Sequence, residues 1–266
     1  LYQVNDNKIT RLIRLKSGPA MIEVSDYSDS LVVKVFKDCL SVSDDEELTS
    51  YVTQWFDLER DLSEFYRLLE KTPETRHFSQ EYHGLRLMGI VDLFEVLCWC
   101  VIGQQINLTF AHKIKTRLVH SLGDCVNHDQ NTYYCFPEPE KIISADSSML
   151  AEMQLSKQKI SYLKNISEAF VSGALDKQKL LNQSSEQQLL QMQTIKGIGQ
   201  WTSNYAAMKC LRNMNCIAYG DTGLSAALHK YFSTEKKPNI VTIDEIFRPF
   251  EGWKSYFNFY LWKSLG

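Results

Sequence analysis

The sequence predicts a mainly α-helical protein with a small antiparallel α+β domain at its amino terminus. Two observations predict it. The first 42 residues carry the β signal, and from Ser43 onward apolar residues recur at helical spacing nearly to the end. With 266 residues, 44% of them apolar, the chain can bury one large core or two modest ones.

The strand signals are AMIEV (Ala20 to Val24) and LVVKVF (Leu31 to Phe36), separated by a Ser/Asp-rich turn and preceded by Gly18-Pro19. A sheet this small cannot bury itself and is expected to lie on the helical remainder. From Ser43, SDDEELTSYVTQWF places acidic residues in a first helical turn, and Phe65, Tyr66 and Leu69 continue the helical spacing. Asp92 to Ile102 reads as an apolar helix ending at Gly103-Gln104-Gln105. Asn107 to Leu122 reads as the next, with Leu108, Ala111, Ile114, Leu118 and Leu122 facing the core and Gly123 as its stop. FPEPEK (Phe136 to Lys141) opens a helix through proline. Ser156 to Gly173 is amphipathic, with Ile160, Leu163 and Phe170 inward and its lysines in a solvated face. Leu224 to Phe232 is a further helix, and the closing segment supplies core aromatics: Trp253, Tyr256, Phe257, Phe259, Tyr260 and Trp262.

The most informative stretch is residues 184–221. Ser184 and Ser185, followed three residues on by Gln187 and Gln188, form two overlapping capping boxes, so a helix starts near 185. Gly197 and Gly199 bracket Ile198 in a turn where residues without a Cβ permit positive φ and close backbone approach. A second helix opens at once, with Trp201 and Tyr205 four apart on one face. Its unpaired amides and positive dipole end suit a phosphate. The pattern is equally met by two core helices joined by a glycine turn, and Gln104 and Gln105 by surface capping. Asp221 beyond the second helix can also serve as the N-cap of the helix at 224.

Composition narrows the function classes. A net charge of −3 supplies no global basic field, so any nucleic-acid contact must come from a local face. The seven cysteines show no CxxC pair and no zinc or iron-sulfur spacing, and are expected to be reduced packing residues in a reducing compartment. No apolar run reaches the ~18 residues of a membrane span.

Several separated motifs, in this order, are HGLRLMGIVDLFEVLCWCVIGQQI, FPEPEKI, LSKQKISYLKNISEAF, IKGIGQWTSNYA, YGDTGL and WKSYFNFYLW. Over residues 50–266 the chain resembles the helix-hairpin-helix (HhH-GPD) DNA glycosylases, most closely their 3-methyladenine DNA glycosylase II branch. The resemblance implies a two-lobed fold, with residues 1–48 as the small sheet domain. One helical lobe, 49–92 plus 214–266, would carry the catalytic aspartate, and the other, 93–213, the hairpin. Asp221 falls on the catalytic position. Trp201 stands where strand-cleaving members carry a nucleophilic lysine, which implies hydrolysis without lyase chemistry. Trp201, Tyr205 and Trp262 match base-pocket aromatics, and Gln104 and Gln105 the DNA wedge. Gly197, Gly199, Gln200 and Thr202 would hold DNA phosphate. The carbonyls of Gln193, Ile195 and Ile198 match those that hold a monovalent cation, Na⁺ or K⁺; no other cofactor is implied. Thr222, where the branch carries an aromatic, leaves one pocket wall and the substrate range open. The implied partner is double-stranded DNA with damaged bases, met by a monomer that is cytoplasmic and nucleoid-associated, or nuclear in a eukaryote, and with no membrane.

An N-alkylated purine is cationic, and electron-rich Trp and Tyr faces attract it by about 0.5–2 kcal/mol per ring. Cleavage of its N-glycosidic bond builds positive charge on the sugar, which a carboxylate can stabilise. Two alternatives stay open: a glycosylase for oxidised or deaminated purines, and a non-enzymatic DNA-binding module in which Asp221 only caps a helix.

Overall fold

The computed structural model describes residues 2–36, 42–128 and 130–266. Strands β1 (Tyr2–Asn5), β2 (Lys8–Leu15), β3 (Gly18–Tyr27) and β4 (Ser30–Val35) form one antiparallel sheet in sequence order. Helices α1 (Val42–Phe56), α2 (Ser63–Lys71), α3 (Phe78–Glu81), α4 (Leu93–Gly103) and α5 (Leu108–Leu122) follow. A hairpin of β5 (Cys125–His128) and β6 (Asn131–Tyr134) interrupts the helices. Then come α6 (Pro139–Ser144), α7 (Ser147–Glu152), α8 (Lys157–Val171), α9 (Lys177–Leu181), α10 (Ser185–Gln193), α11 (Gln200–Lys209), α12 (Thr222–Phe232), α13 (Ile240–Phe247) and α14 (Lys254–Lys263). Among the described residues no helix is long and apolar enough to cross a membrane.

By its contacts the chain divides into two compact units, one of residues 1–52 and 101–174, the other of residues 53–100 and 175–266. This grouping runs along other lines than 1–48, 49–92 plus 214–266, and 93–213: hairpin and Asp221 lie in the same unit.

In the first unit, the cross-strand pair Leu12 and Met21 packs with Tyr133 and Cys135 from the β5–β6 region, and Phe36 closes the edge. The sheet is thus covered in part by a short hairpin that forms a separate two-stranded sheet. That hairpin has no strong sequence signal, because its strands are four residues long and largely exposed. Asp124 ties the two β elements to α6, accepting from Arg14 at 2.6 Å and from Lys141. Those two hydrogen bonds hold its carboxyl below the usual range, that of Lys141 the more strongly.

Two expectations for this unit need correction. Leu108 is 64% exposed rather than core, because it lies at the edge of the buried stripe Ala111, Ile114, Leu118 and in the first turn, beyond the packing surface. The lysines of α8 are not all solvated. Lys159 Nζ donates to the Ile102 carbonyl at 2.7 Å and Lys164 Nζ to that of Ala145 at 3.0 Å. Phe170 is half-buried, and Ile166 and Ala169 fill the core beside Ile160 and Leu163.

The second unit has an aromatic core. Phe65, Phe78, Phe247, Phe250, Tyr256, Phe257 and Tyr260 are fully buried, with Phe250 stacked on Phe257 at 3.7 Å. Trp253, Phe259 and Trp262 are only half-buried, so the closing stripe has an inner and an outer face. Asp57, buried at positive φ, gathers Arg60 at 3.0 Å, Arg212 and the Tyr256 hydroxyl on one carboxylate. Of the six described cysteines, all free, only Cys125 is exposed.

Candidate active site

α10 begins where its capping box requires. The Ser184 hydroxyl accepts from Gln187 N, and the Gln187 side chain accepts from Ser184 N at 3.1 Å. The chain turns through Gly197 at φ +111°, a left-handed conformation that favours glycine. Gly199 departs from the expected positive φ: at φ −97°, ψ −175° it is extended and occupies the N-cap position of α11. It has no side chain to cap with, so the first amides of α11 are left without that partner, as an anion site requires. Gly197 is half-buried and Gly199 and Gln200 are exposed. Thr202 is only 3% exposed, at odds with a hydroxyl reaching a phosphate. Gln193 reaches across the turn to the Ser203 hydroxyl at 2.9 Å. The Ile195 carbonyl accepts from Ile198 N at 3.0 Å and retains one lone pair.

Beyond α11, the segment Cys216 to Asp221 is hooked onto α14. Cys216 N donates to the Ser255 hydroxyl at 3.1 Å, and Ala218 N to the Asn258 side-chain oxygen at 2.9 Å. Asp221 N then turns back to the Ala218 carbonyl at 3.0 Å, past Gly220 at φ +80°. Asn258 and Trp262 lie one turn apart on α14, so the helix that fixes the backbone before Asp221 also presents a ring to its side chain.

The carboxylate of Asp221 is held by three donors. Leu224 N donates to Oδ1 at 2.7 Å, which makes Asp221 the N-cap of α12, and Trp262 Nε1 donates to the same oxygen at 2.8 Å. Trp201 Nε1 donates to Oδ2 at 3.1 Å. A carboxylate offers about two acceptor sites per oxygen, so Oδ1 is filled and Oδ2 keeps one. Capping therefore leaves the carboxylate one acceptor position for a further partner. Gly223 is needed beside it: a Cβ there would sit 3.1 Å from Asp221 Oδ1 and 3.3 Å from Trp262 Cδ1.

Trp201 and Tyr205 stack at 5.1 Å and 18°, and Tyr205 meets Trp262 at 6.0 Å and 44°. A base clamped between two rings needs roughly 7 Å between their planes, two contacts of about 3.5 Å. The space between Trp201 and Tyr205 is too narrow, so a base would meet the outer faces of the indoles. Tyr205 supports Trp201 from behind. Burial, with smaller effects of Cys100 and Asp221, raises its phenol well above the ordinary range, while Trp99 hydrogen-bonds to it. Thr222 is exposed at the first position of α12. In the other unit, Gln104 and Gln105 follow α4, Gln104 half-buried and Gln105 exposed at φ +57°, an uncommon conformation for a side chain of this size.

The structure brings together Asp221, Trp201, Tyr205 and Trp262, the four residues that sequence reasoning grouped. That reasoning missed the two indole N–H donors, Gly223, Asn258 and Lys159, whose roles arise from contacts remote in the chain.

Comparison with known proteins places the chain in a family. Residues 98–251 match the family described as HhH-GPD superfamily base excision DNA repair protein, and residues 2–97 match the 8-oxoguanine DNA glycosylase N-terminal domain. The chain is 34% identical to the DNA-3-methyladenine glycosylase of Bacillus subtilis (strain 168), over 100% of this chain and 88% of that protein. Its fold is similar to that of the 3-methyladenine DNA-glycosylase from Archaeoglobus fulgidus, with a TM-score of 0.85 at 22% identity, covering 98% of this chain and 88% of that one. It is similar too to the Clostridium acetobutylicum 8-oxoguanine glycosylase/lyase solved with double-stranded DNA, with a TM-score of 0.77 at 16% identity, covering 98% and 96%. With a hairpin that leaves helix amides uncapped, a carboxylate set between two indoles and a family match spanning both, the chain belongs to the HhH-GPD superfamily of base excision DNA repair proteins.

Proposed function

We propose that the chain is a monofunctional DNA glycosylase of base excision repair. It extrudes alkylated purines of the 3-methyladenine and 7-methylguanine type from double-stranded DNA and hydrolyses the N-glycosidic bond, leaving an abasic site. The observation that carries this reading is the Asp221 carboxylate, held by Trp201 and Trp262 with one acceptor position of Oδ2 left over. The name of the Bacillus subtilis relative supports the alkylated substrate.

Extrusion costs a few kcal/mol, least for damaged bases, and Gln105 fills the vacated space. The cationic base lies on an indole face. As the C1′–N bond breaks, its electron pair leaves with the base, which becomes neutral, and positive charge develops on the sugar. The carboxylate stabilises that charge. Water oxygen bonds to C1′, and its proton passes by way of Oδ2 to solvent. A cationic base is a good leaving group, so no general acid is required.

The amides at Gly199 and Gln200 hold the DNA backbone. The carbonyls of Gln193, Ile195 and Ile198 lie on one short turn and are neutral oxygen donors, a set suited to a monovalent cation such as Na⁺ or K⁺ that supplies positive charge toward a phosphate. The enzyme acts as a monomer in the nucleoid, or in the nucleus of a eukaryote.

A second reading, excision of oxidised purines, is favoured by the match of residues 2–97 to the 8-oxoguanine glycosylase N-terminal domain. Trp201, which offers no amine, opposes a lyase version of it. The test is to measure the free bases released from alkylated, deaminated and oxidised duplexes. Alkylated purines are expected first, and Asp221→Asn is expected to slow their release at least 100-fold, on the order of an electrostatic stabiliser's contribution, with DNA binding retained. Near wild-type release by that variant would overturn the assignment, and a borohydride-trapped adduct would overturn the monofunctional label.

A further inference from the structure

Along α5 runs an open groove of about 550 Å³ lined by Thr109, His112, Lys113, Thr116 and Arg117, all exposed. α5 contains Lys113, Lys115 and Arg117 and no acidic residue. Lys115 lies over the Phe136 ring at 5.6 Å, away from the other two cations. Burial, and then the charge of Lys115, hold His112 below its ordinary range, so at neutral pH the groove's positive charge rests on Lys113 and Arg117. Arg117 is steadied by the Gln154 side chain at 2.7 Å, and Lys113 forms no ion pair among the described residues. The two cations stand four residues apart on one helix face, roughly 5–6 Å between their Cβ atoms, comparable to the spacing of neighbouring phosphates along a strand.

We propose that this face of α5 is a second contact for the DNA phosphate backbone, in addition to the hairpin at 197–200. Lys113 and Arg117 each neutralise a phosphate there, and the hydroxyls of Thr109 and Thr116 and the neutral His112 supply hydrogen bonds. Three features favour DNA over a protein partner. The groove lining has no aromatic or aliphatic anchor of the kind protein interfaces bury. A chain of net charge −3 can hold DNA only through local basic faces such as this one. And α5 starts three residues past Gln105, so the segment assigned to the duplex leads directly into the groove. The inference rests on the reading that the chain acts on DNA.

The test is the salt dependence of binding to an undamaged, fluorescently labelled duplex. Wild type is compared with Lys113→Glu/Arg117→Glu and with the charge-matched control Lys236→Glu/Lys237→Glu in the exposed loop before α13. Loss of two phosphate contacts should make the slope of log K against log salt shallower by roughly 1.8 and weaken binding at least 10-fold at low salt, with the control unchanged. An unchanged slope, or an equal loss in the control, overturns the proposal. Thermal melts verify folding, and Lys113→Gln/Arg117→Gln carries the same expectation should the reversal variant not fold. Base release by wild type is measured alongside. A protein that releases no base but whose slope falls in the double variant contradicts the excision reading and supports the groove. One that releases base with an unchanged slope contradicts the groove alone.

Discussion

Trp262 Nε1 donates to Asp221 Oδ1 at 2.8 Å, on the same oxygen that Leu224 N approaches at 2.7 Å. Trp262 thus orients the carboxylate as well as offering a ring. Trp262→Phe keeps an aromatic face and removes only the donor. A hydrogen bond to a charged group contributes about 1.5–3 kcal/mol, so single-turnover base release should fall roughly 10- to 100-fold. Trp201→Phe instead frees a site on Oδ2, and should alter the rate without loosening Oδ1. Equal rates for Trp262→Phe and wild type would show that the indole N–H has no part in placing Asp221.

Gly223 is the least conspicuous residue of the site and among the most constrained. A methyl there would press on both Asp221 Oδ1 and Trp262 Cδ1, each of which must give by a few tenths of an ångström. Gly223→Ala should therefore lower base release while leaving the duplex affinity and the melting temperature near wild type. A melting temperature that falls in step with activity would point to general destabilisation instead.

Helices α4, α5, α6, α8, α10, α11 and α12, the Ser184–Gln187 capping box and the grouping of Asp221 with Trp201, Tyr205 and Trp262 were legible because each rests on local spacing or on motifs kept in linear order. Helices α7, α9 and α13 were not read, and the second capping box, at Ser185, does not form. What was not legible depends on distant partners. Asn258 accepts from the Ala218 amide and Lys159 donates to the Ile102 carbonyl across 40 and 57 residues, and neither leaves a pattern in its own neighbourhood. The β5–β6 hairpin has strands too short to alternate clearly. Leu108 fitted the periodicity of α5 yet lies outside the core, since periodicity says which face a residue occupies and not where the neighbouring surface ends.

Lys159 places a cation on the last turn of α4, just before the Gln104-Gln105 turn, and burial holds its amine below the ordinary range. Such a contact stabilises a helix end by about 0.3–2 kcal/mol. Lys159→Met should lower stability by about 1 kcal/mol and, if the turn serves as the wedge, reduce extrusion of a 2-aminopurine reporter several-fold. Lys159→Arg should restore most of it. An unaltered fluorescence signal in Lys159→Met would separate this contact from extrusion.

Lys209 closes the face of α11 that begins with Trp201 and Tyr205. Its ammonium lies 5.7 Å from the Phe259 ring, and burial lowers it to about 8. Surface exposure places the residue as a whole at half-buried, so part of its cost is relieved by solvent. An unfolded lysine titrates near 10.5, so between about pH 8 and 10.5 the unfolded chain binds more protons than the folded one. Stability should therefore rise with pH from 8 toward 10, before the buried tyrosines Tyr256 and Tyr260, whose phenols burial raises, reverse the trend at higher pH. Lys209→Met keeps the stem against Phe259 without the charge. It should add about 1–3 kcal/mol at pH 7, discounted for partial exposure, and flatten the rise between pH 8 and 10 in urea titrations. A wild-type slope preserved in that variant would assign the rise to another group.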